Sequence, residues 1–501
     1  MDLSFLVPYP QQVRETGKAF ARPPTVRIVT RGADALTVRR LAQDLKQLAG
    51  IKVSKRAAYT IQLKMGEKRL KAEGYRLKVG PDGVEISGAD AAGLYYGTQT
   101  LVQIATLGPA GFWPALAITD WPHFAWRSYM PDMGRSVYPL PLLKRMVRIL
   151  ARLKLNAMHL HICDDQLNSL RYRKLPLGKE NPTAITLSQL AELVRYARSY
   201  HVTIMPEIEC WGHANSFVYH YPHLDGGPGM YGGASFAIGP ELYDLLGRVF
   251  DELVGALEKK CHVHVGLDEA IWQLLPSVPE AERASYNPER LIQELYDILQ
   301  RAGRRHGRQV TMHLWADHKG RSVPKQLENK LILHPWRYLA RNNEDIEQKL
   351  VRLGGKSKPR IVMGTGTGLG QAAAHFLSTG IWCRAAANVP NVLGGTICQW
   401  SGNNVPETLI GIYAGADYLW SPATPATKEN DPHGEETTWQ MCNRMRQWQS
   451  KIKDGDPEAI LHERGPEVWH GFYRFGRRDG KPVSPTATAN ERRNTGPGVD
   501  G

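Results

Sequence analysis

Apolar and polar positions follow two different rhythms along this chain, and the change comes near residue 120. Before it, short runs of roughly two-residue period stand at 25–30, 59–65, 75–79 and 84–87, the pattern of strands with one buried face. Leu36, Leu41, Leu45 and Leu48 recur at helical spacing and predict a helix over 34–48; a second is predicted over 89–105. Gly80-Pro81-Asp82-Gly83 lies between two of the runs and predicts a hairpin turn. These elements read as a small α/β domain covering residues 1–119.

From Trp126 onward, strand-like runs recur near 127–132, 157–163, 202–208, 263–268, 310–315, 331–336, 360–363 and 395–400. Several are apolar at every position, as strands covered on both faces must be. Amphipathic helices are predicted between them, over 141–153, 187–200, 240–259 and 288–305. Eight strands alternating with helices predict a (β/α)8 TIM barrel over residues 120–421, with an open doubly wound sheet as the alternative. The run Met363-Gly364-Thr365-Gly366-Thr367-Gly368 is not a phosphate loop: it lacks the lysine, and its glycines miss the GxGxxG spacing. A C-terminal helical extension is expected over 422–476, with a helix around 435–453. Residues 477–501, basic and rich in Pro, Gly, Thr and Asn, are expected to form a disordered tail.

Composition narrows the class. A chain of 501 residues exceeds one small core, and its 42% hydrophobic and 22% charged residues are ordinary for a globular protein. No apolar run approaches a membrane span. The opening from Met1 to Pro8 has no basic segment and too short an apolar run for a secretory signal. Cys163, Cys210, Cys261, Cys383, Cys398 and Cys442 show no CxxC spacing, and several fall in strand-like runs, so reduced buried thiols and a cytoplasmic setting are expected. The net charge of +14 is spread along the chain, so a solvated basic surface is expected, with no nucleic-acid or membrane partner.

Chemistry gathers where the runs end. His262-Val263-His264-Val265-Gly266-Leu267-Asp268-Glu269 carries an alternating run into two adjacent carboxylates. Neighbours on a strand face opposite sides, so Asp268 and Glu269 share a site only if the strand has ended near Leu267. Isolated acid pairs are usually helix caps or surface features. Here the other strand ends alter that meaning. The first barrel strand leads to Asp132 and Arg135, and the second through His159 and His161 to Asp164, Asp165 and Gln166. The third leads to Glu207, Glu209 and His213, while the fifth, sixth and eighth close on Trp315, Trp336 and Trp400. In a parallel barrel, functional side chains collect at the C-terminal strand ends. Aromatic faces stack on pyranose rings, and paired carboxylates supply the charge stabilisation and proton transfer that glycosidic cleavage needs. The His159/His161 pair also admits a metal-dependent hydrolase, with His264, His213, His313 and Asp317 as further ligands. That pair falls on the second strand rather than the first, and the last strand offers no metal-binding Asp; neither metal nor cofactor is expected.

At these residues the chain resembles the family 20 glycoside hydrolases, the β-N-acetylhexosaminidases, from Leu6-Val7-Pro8-Tyr9-Pro10 to about Trp420. The likeness rests on the helix from Gly88 to Leu101, on Asp132-x-x-Arg135, on His161 to Gln166, on Pro206-Glu207-Ile208-Glu209 with Gly212-His213, and on His264 to Glu269, in that order. The resemblance implies exo-acting, retaining removal of terminal β-linked GlcNAc or GalNAc, in which the substrate's acetamido oxygen attacks C1 and forms an oxazolinium ion. It implies that Asp268 orients the acetamido group, and that Glu269 protonates the leaving oxygen and then activates water. It also implies a network of Asp164 and His213 behind the acid, a grip on ring hydroxyls by Arg135, and further substrate contacts from His161, Glu209 and His264. Trp315, Trp336 and Trp400 would form a hydrophobic box. The expected partner is an N-acetylhexosamine-terminated carbohydrate; oligomeric state is left open.

The chain departs from the family pattern at four places. Leu267 stands where a second Gly is usual, and Glu209 where Asp is usual. The usual strand-seven Tyr is missing from 363–370. The usual Trp-x-Glu on strand eight reads Trp400-Ser401-Gly402-Asn403-Asn404, leaving Asn403, Asn404 or Glu407 for the hydroxyl contact. Three other readings therefore stay open: the same scaffold with shifted sugar specificity, a catalytically silent carbohydrate-binding protein, and the metal-dependent hydrolase. Residues 214–239, rich in Gly, Tyr and His, are expected to shape the entrance.

Overall fold

The computed structural model describes residues 3–229, 233–270, 287–316, 323–338, 340, 342–353, 359–368, 373–400, 405–422, 443, 445–452, 454, 460, 477–478 and 481–482. The N-terminal part is a seven-stranded mixed sheet. Its strands are β1 (Gln12–Glu15), β2 (Thr25–Arg31), β3 (Lys52–Val53), β4 (Thr60–Met65), β5 (Tyr75–Gly80), β6 (Gly83–Gly88) and β7 (Leu116–Asp120). They lie in the order β1-β7-β5-β6-β4-β2-β3. The predicted hairpin joins β5 to β6, pairing Gly80 with Gly83. Helix α1 (Ala35–Ala49) starts where the Asp34 side chain accepts from Leu36 N and Thr37 N, and it stops at Gly50 in the left-handed region. Helix α2 (Ala91–Leu107) lies so close to the sheet that a β-carbon on Gly97 would come within 2.5 Å of Ile86 Cγ2. The periodicity did not reveal β1, β3 or β7; β3 is only two residues long.

Eight parallel strands then close a barrel: β8 (Trp126–Met130), β9 (Ala157–His161), β10 (Thr203–Glu207), β11 (Lys260–His264), β12 (Gln309–Trp315), β13 (Leu331–His334), β14 (Arg360–Gly368) and β15 (Val392–Gln399). The closing pair is β8 with β15, from Trp126↔Gly394 to Met130↔Cys398. Intervening helices are α3 (Leu140–Arg152), α4 (Leu187–Arg198), α5 (Pro240–Gly255), α6 (Pro288–His306), α7 (Asn343–Arg352), α8 (Ala373–Ala386) and α9 (Val405–Trp420). The open doubly wound alternative is thereby excluded. Two strand bounds differ from expectation for physical reasons. β11 ends at His264 because Gly266 and Leu267 take positive φ and leave the ladder. β14 runs on to Gly368 because it stays paired with β15, and at Gly364 and Gly366 a β-carbon would meet Trp336 Cβ at 2.7 Å and Tyr338 Cδ1 at 3.1 Å.

A buried polar cluster joins sheet and barrel. Asp120 at the end of β7 accepts from Lys154 Nζ at 3.0 Å and Tyr75 Oη at 2.6 Å through Oδ2, and from Trp420 Nε1 at 2.8 Å through Oδ1. Arg127 reaches from β8 to Glu73. Among the described residues, Cys163, Cys210, Cys261, Cys383 and Cys398 are buried and form no disulfide, and no helix is long and apolar enough to cross a membrane. Residues 445–451 of the predicted C-terminal helix are helical, with Trp448 and Ile452 buried. In the tail expected to be disordered, Arg477–Arg478 pairs antiparallel with Lys481–Pro482; its other residues lie outside the described set.

Candidate active site

The polar residues singled out in the sequence converge at the C-terminal ends of the barrel strands. Past β8, Asp132 bridges to His161 and accepts from Arg135 N at 3.0 Å and Arg135 Nη1 at 3.1 Å. Arg135 Nη2 meets Asp164 Oδ2 at 2.6 Å, so the guanidinium is clamped between carboxylates from two strand ends. Its carbon lies 5.5 Å from the Trp400 ring.

The acid pair sits on a strained turn. After β11, Gly266, Leu267 and Glu269 have φ of 63°, 80° and 47°. For non-glycine residues the left-handed region costs about 1–2 kcal/mol each. The turn ends the strand before Leu267, as the shared-site argument required, and both carboxylates reach one histidine. His213 Nε2 lies 3.2 Å from Glu269 Oε2 and 3.7 Å from Asp268 Oδ2. His213 itself has φ of 50°, and a β-carbon on Gly212 would press on the Asp268 carbonyl at 2.7 Å. On its other side, His213 Nδ1 lies 3.3 Å from Asp165 Oδ2 and 3.4 Å from Asp164 Oδ1. Burial opposes charge on His213, but Asp164, Asp165 and Glu269 outweigh it and hold its pKa well above the usual imidazole value.

Beneath this rim is a carboxylate ringed by nitrogen atoms. Glu207, fully buried at the end of β10, accepts from Trp315 Nε1 at 2.5 Å and His161 Nδ1 at 2.7 Å. His264 Nδ1 and His159 Nε2 each lie 3.0 Å from it. His161 passes the contact upward through Nε2 to Asp164 Oδ2 at 2.9 Å. Although buried, His161 is held well above its usual pKa by Glu207 and Asp164, so both of its nitrogens donate. Deeper still, His262, His313 and His334 form a chain with two contacts of 2.8 Å. Burial pushes His159 and His262 down to about 4, and His313 and His334 well below their usual value, so these imidazoles are neutral at pH 7.

Four groups of three donors converge closely enough for a cation among the described residues: His159–Glu207–His264, His161–Glu207–Glu209, Asp164–Asp165–His213 and His213–Asp268–Glu269. Glu207 is already taken by Trp315 and His161, and His264 Nδ1 by the Gly266 N–H at 3.1 Å. In that core the donors hold one another.

Glu209 behaves differently from its neighbours. Neither carboxyl oxygen has a hydrogen-bond partner, and a β-carbon on Gly266 would collide with it. Burial, then the charges of Asp268 and Glu207, push its pKa well above the usual carboxyl range. Its carboxyl packs against Gly266, in the backbone that leads to Asp268 and Glu269.

The three tryptophans expected to form a box lie in one cluster, with a fourth ring beside them. Trp315 is fully buried and lies 5.8 Å from Trp400, while Trp336 and Trp400 are partly exposed. Tyr338, which the sequence reading passed over, stacks on Trp336 at 5.3 Å and 12°, and meets Trp400 edge-on at 6.3 Å. The signal was the Trp336-x-Tyr338 spacing, which puts both rings on one face of an extended segment. Asp164, Asp268, Glu269, His213, Arg135, His161, Glu209 and the three tryptophans are thus brought together. His264 sits lower, against Glu207 and 4.7 Å from the Trp315 ring. Asn403, Asn404 and Asp317 lie outside the described residues, as does the Glu407 side chain.

Comparison with known proteins adds an independent line. The model for glycosyl hydrolase family 20, domain 2, matches residues 4–121, and that for the family's catalytic domain matches residues 124–355. A β-hexosaminidase of Porphyromonas gingivalis is 28% identical over 44% of this chain and 32% of its own length. A β-N-acetylhexosaminidase of Cellulomonas fimi is 30% identical over 51% of each chain. The chain thus spans about half or less of the length of these curated relatives. Among solved structures, a mutant Streptomyces plicatus β-hexosaminidase in complex with GlcNAc as product superposes with a TM-score of 0.69 at 21% identity, covering 90% of this chain and 96% of that one.

Proposed function

Because the chain belongs to family 20 of the glycosyl hydrolases, we propose that it removes terminal β-linked N-acetylhexosamine, with retention and with the substrate's own acetamido group as nucleophile. The observation that carries this reading is the Asp268–Glu269 pair, both facing His213 at the open end of the barrel beside an aromatic box. Asp268 accepts the acetamido N–H and offsets the positive charge that grows as the amide oxygen attacks C1. Glu269 gives its proton to the leaving oxygen, then takes one from the water that opens the oxazolinium ring. His213 positions Glu269 and is itself oriented by Asp164 and Asp165. Arg135, anchored by Asp132 and Asp164, presents its remaining N–H groups to ring hydroxyls. The names of the relatives and the GlcNAc held by the Streptomyces plicatus enzyme support this substrate class.

The test is release of 4-nitrophenol from its β-N-acetylglucosaminide, with the matching β-glucoside as control. Glu269→Gln should lower kcat by ~10²–10⁴-fold. The glucoside, which lacks the internal nucleophile, should turn over far more slowly, and EDTA should leave the rate unchanged. Equal rates on the two glycosides would rule out acetamido participation.

A further inference from the structure

The N-terminal sheet has one covered face and one open face. Along β5, Tyr75, Leu77 and Val79 are buried, and α2 packs on that side, where Gly97 meets Ile86 of β6. The alternate positions, Arg76 and Lys78, point the other way and are exposed. Register carries this alternation across the sheet, because residues paired between strands share a face. One row on the open face runs Arg14–Ala117–Lys78–Glu85–Gln62–Val29, from β1 to β2. The row beside it runs Gln12–Thr119–Arg76–Ser87–Lys64–Arg31. At the β2 edge, Arg27 stands opposite Thr60, and Lys52 opposite Thr25. Glu85 is the one acid in these rows. It pairs with Lys64 at 3.0 Å, and Arg76 lies 3.7 Å from Glu67 outside them. Among the described residues, no ion pair engages Arg14, Lys78 or Arg31. The imbalance belongs to the whole segment, since Lys and Arg outnumber Asp and Glu nearly two to one in residues 1–119.

Arg14 and Lys78 stand two strands apart, as do Arg76 and Lys64, so cations recur along each row at roughly 10 Å. That is about the length of two pyranose rings. Between the cations stand the hydroxyl of Thr119 and the amides of Gln12 and Gln62, which donate and accept without charge. Spaced cations with neutral hydrogen-bonding groups between them complement a chain in which carboxylates or sulfates alternate with hydroxyls. Single-stranded nucleic acid asks for aromatic rings on which bases stack, and these rows carry none. A membrane asks for apolar side chains that insert beside the charges, and Val29 is the one large apolar residue in the rows. We propose that the open face of the N-terminal sheet docks an acidic polysaccharide, a glycan bearing carboxylate or sulfate groups. The choice of a glycan as occupant rests on the hexosaminidase reading above, since a glycan is what the barrel would process.

The experiment titrates the full chain with carboxymethyl dextran, dextran sulfate and neutral dextran, which share one backbone that a hexosaminidase does not cut. A DNA duplex and phosphatidylglycerol vesicles are the comparisons. The wild type should bind one or both charged dextrans but not the neutral one, and more weakly as NaCl rises, because exposed cations are screened. Arg31→Gln, Arg76→Gln and Lys78→Gln together should weaken that binding by roughly tenfold or more. Lys259→Gln, Arg301→Gln and Lys325→Gln together remove the same charge from exposed positions outside this sheet and should leave it nearly unchanged. Both triple variants should keep the wild-type rate of 4-nitrophenol release, with thermal melts confirming the fold. Equal losses in the two triples would show that net charge binds, not this face, and would overturn the proposal. No binding to either charged dextran would do the same. Tighter binding to the duplex or the vesicles, lost in the sheet triple alone, would assign the face to another partner and overturn the glycan. A wild type that binds charged dextran through this face yet releases no nitrophenol would overturn the hexosaminidase reading alone.

Discussion

Glu209 is buried with no hydrogen-bond partner for either carboxyl oxygen, and such a group is costly to charge. Its folded pKa is raised above the ordinary 4.5 by burial, with Asp268 and Glu207 adding repulsion. The folded state therefore binds a proton that the unfolded state releases above that value. Its favourable contribution is full below pH 4.5 and is lost as pH rises towards the folded pKa. Glu209→Gln keeps the shape and removes the titration. The variant's Tm should match the wild type near pH 4.5 and exceed it increasingly towards pH 8, as thermal melts at the two pH values would reveal. A constant difference between them would mean that Glu209 is charged in the fold. The two glycines of β14 are the other residue-scale lesson: the missing strand-seven side chain and the presence of Tyr338 are one exchange of volume between neighbouring strands.

At the scale of elements, the turn after β11 decides the site. Leu267 is fully buried yet held at φ 80°, so two effects oppose each other. Glycine would relieve about 1–2 kcal/mol of left-handed strain. It would also forfeit a buried leucine side chain, a loss of about 2–5 kcal/mol when the surroundings do not collapse. Burial wins: Leu267→Gly should lower unfolding stability by about 1–3 kcal/mol in urea titrations. Unchanged or increased stability would show that strain dominates the turn. That the strand must end before the acid pair was legible from alternation alone, because successive side chains face opposite ways. That the turn would use a leucine at positive φ was not, since only its burial makes the strain tolerable.

At the scale of the whole molecule, one cluster bolts the N-terminal sheet to the barrel. Asp120 and Lys154 are both fully buried and 3.0 Å apart, with Tyr75, Trp420 and the Gln11 N–H also on Asp120. Removing one charge strands the other in a fully buried site. Asp120→Ala should cost about 3–5 kcal/mol, and adding Lys154→Met should recover a large part of that loss. Denaturant unfolding of the two single variants and the double variant closes the cycle; strict additivity would show that the pair is not coupled.

How much was legible follows from the range of the forces involved. Helix α1, the Gly80–Gly83 hairpin, the eight barrel runs and the Asp268–Glu269 pair were all readable in sequence. Each depends on periodicity or on neighbours a few residues away, and the chain carries that information locally. Strands β1 and β7, by contrast, are defined by the partners they pair with. The gathering of His159, His161, His264 and Trp315 around Glu207 joins four strands, and no local pattern specifies which nitrogens a buried carboxylate will meet. The same holds for Tyr338 filling the space beside Gly366 and for Asp120 meeting Lys154 and Trp420. Sequence by itself determined the elements and the chemistry they carry. Tertiary structure decided which of those groups are charged, which are paired and which face the open end of the barrel, because burial and charge are properties of a group's surroundings in space.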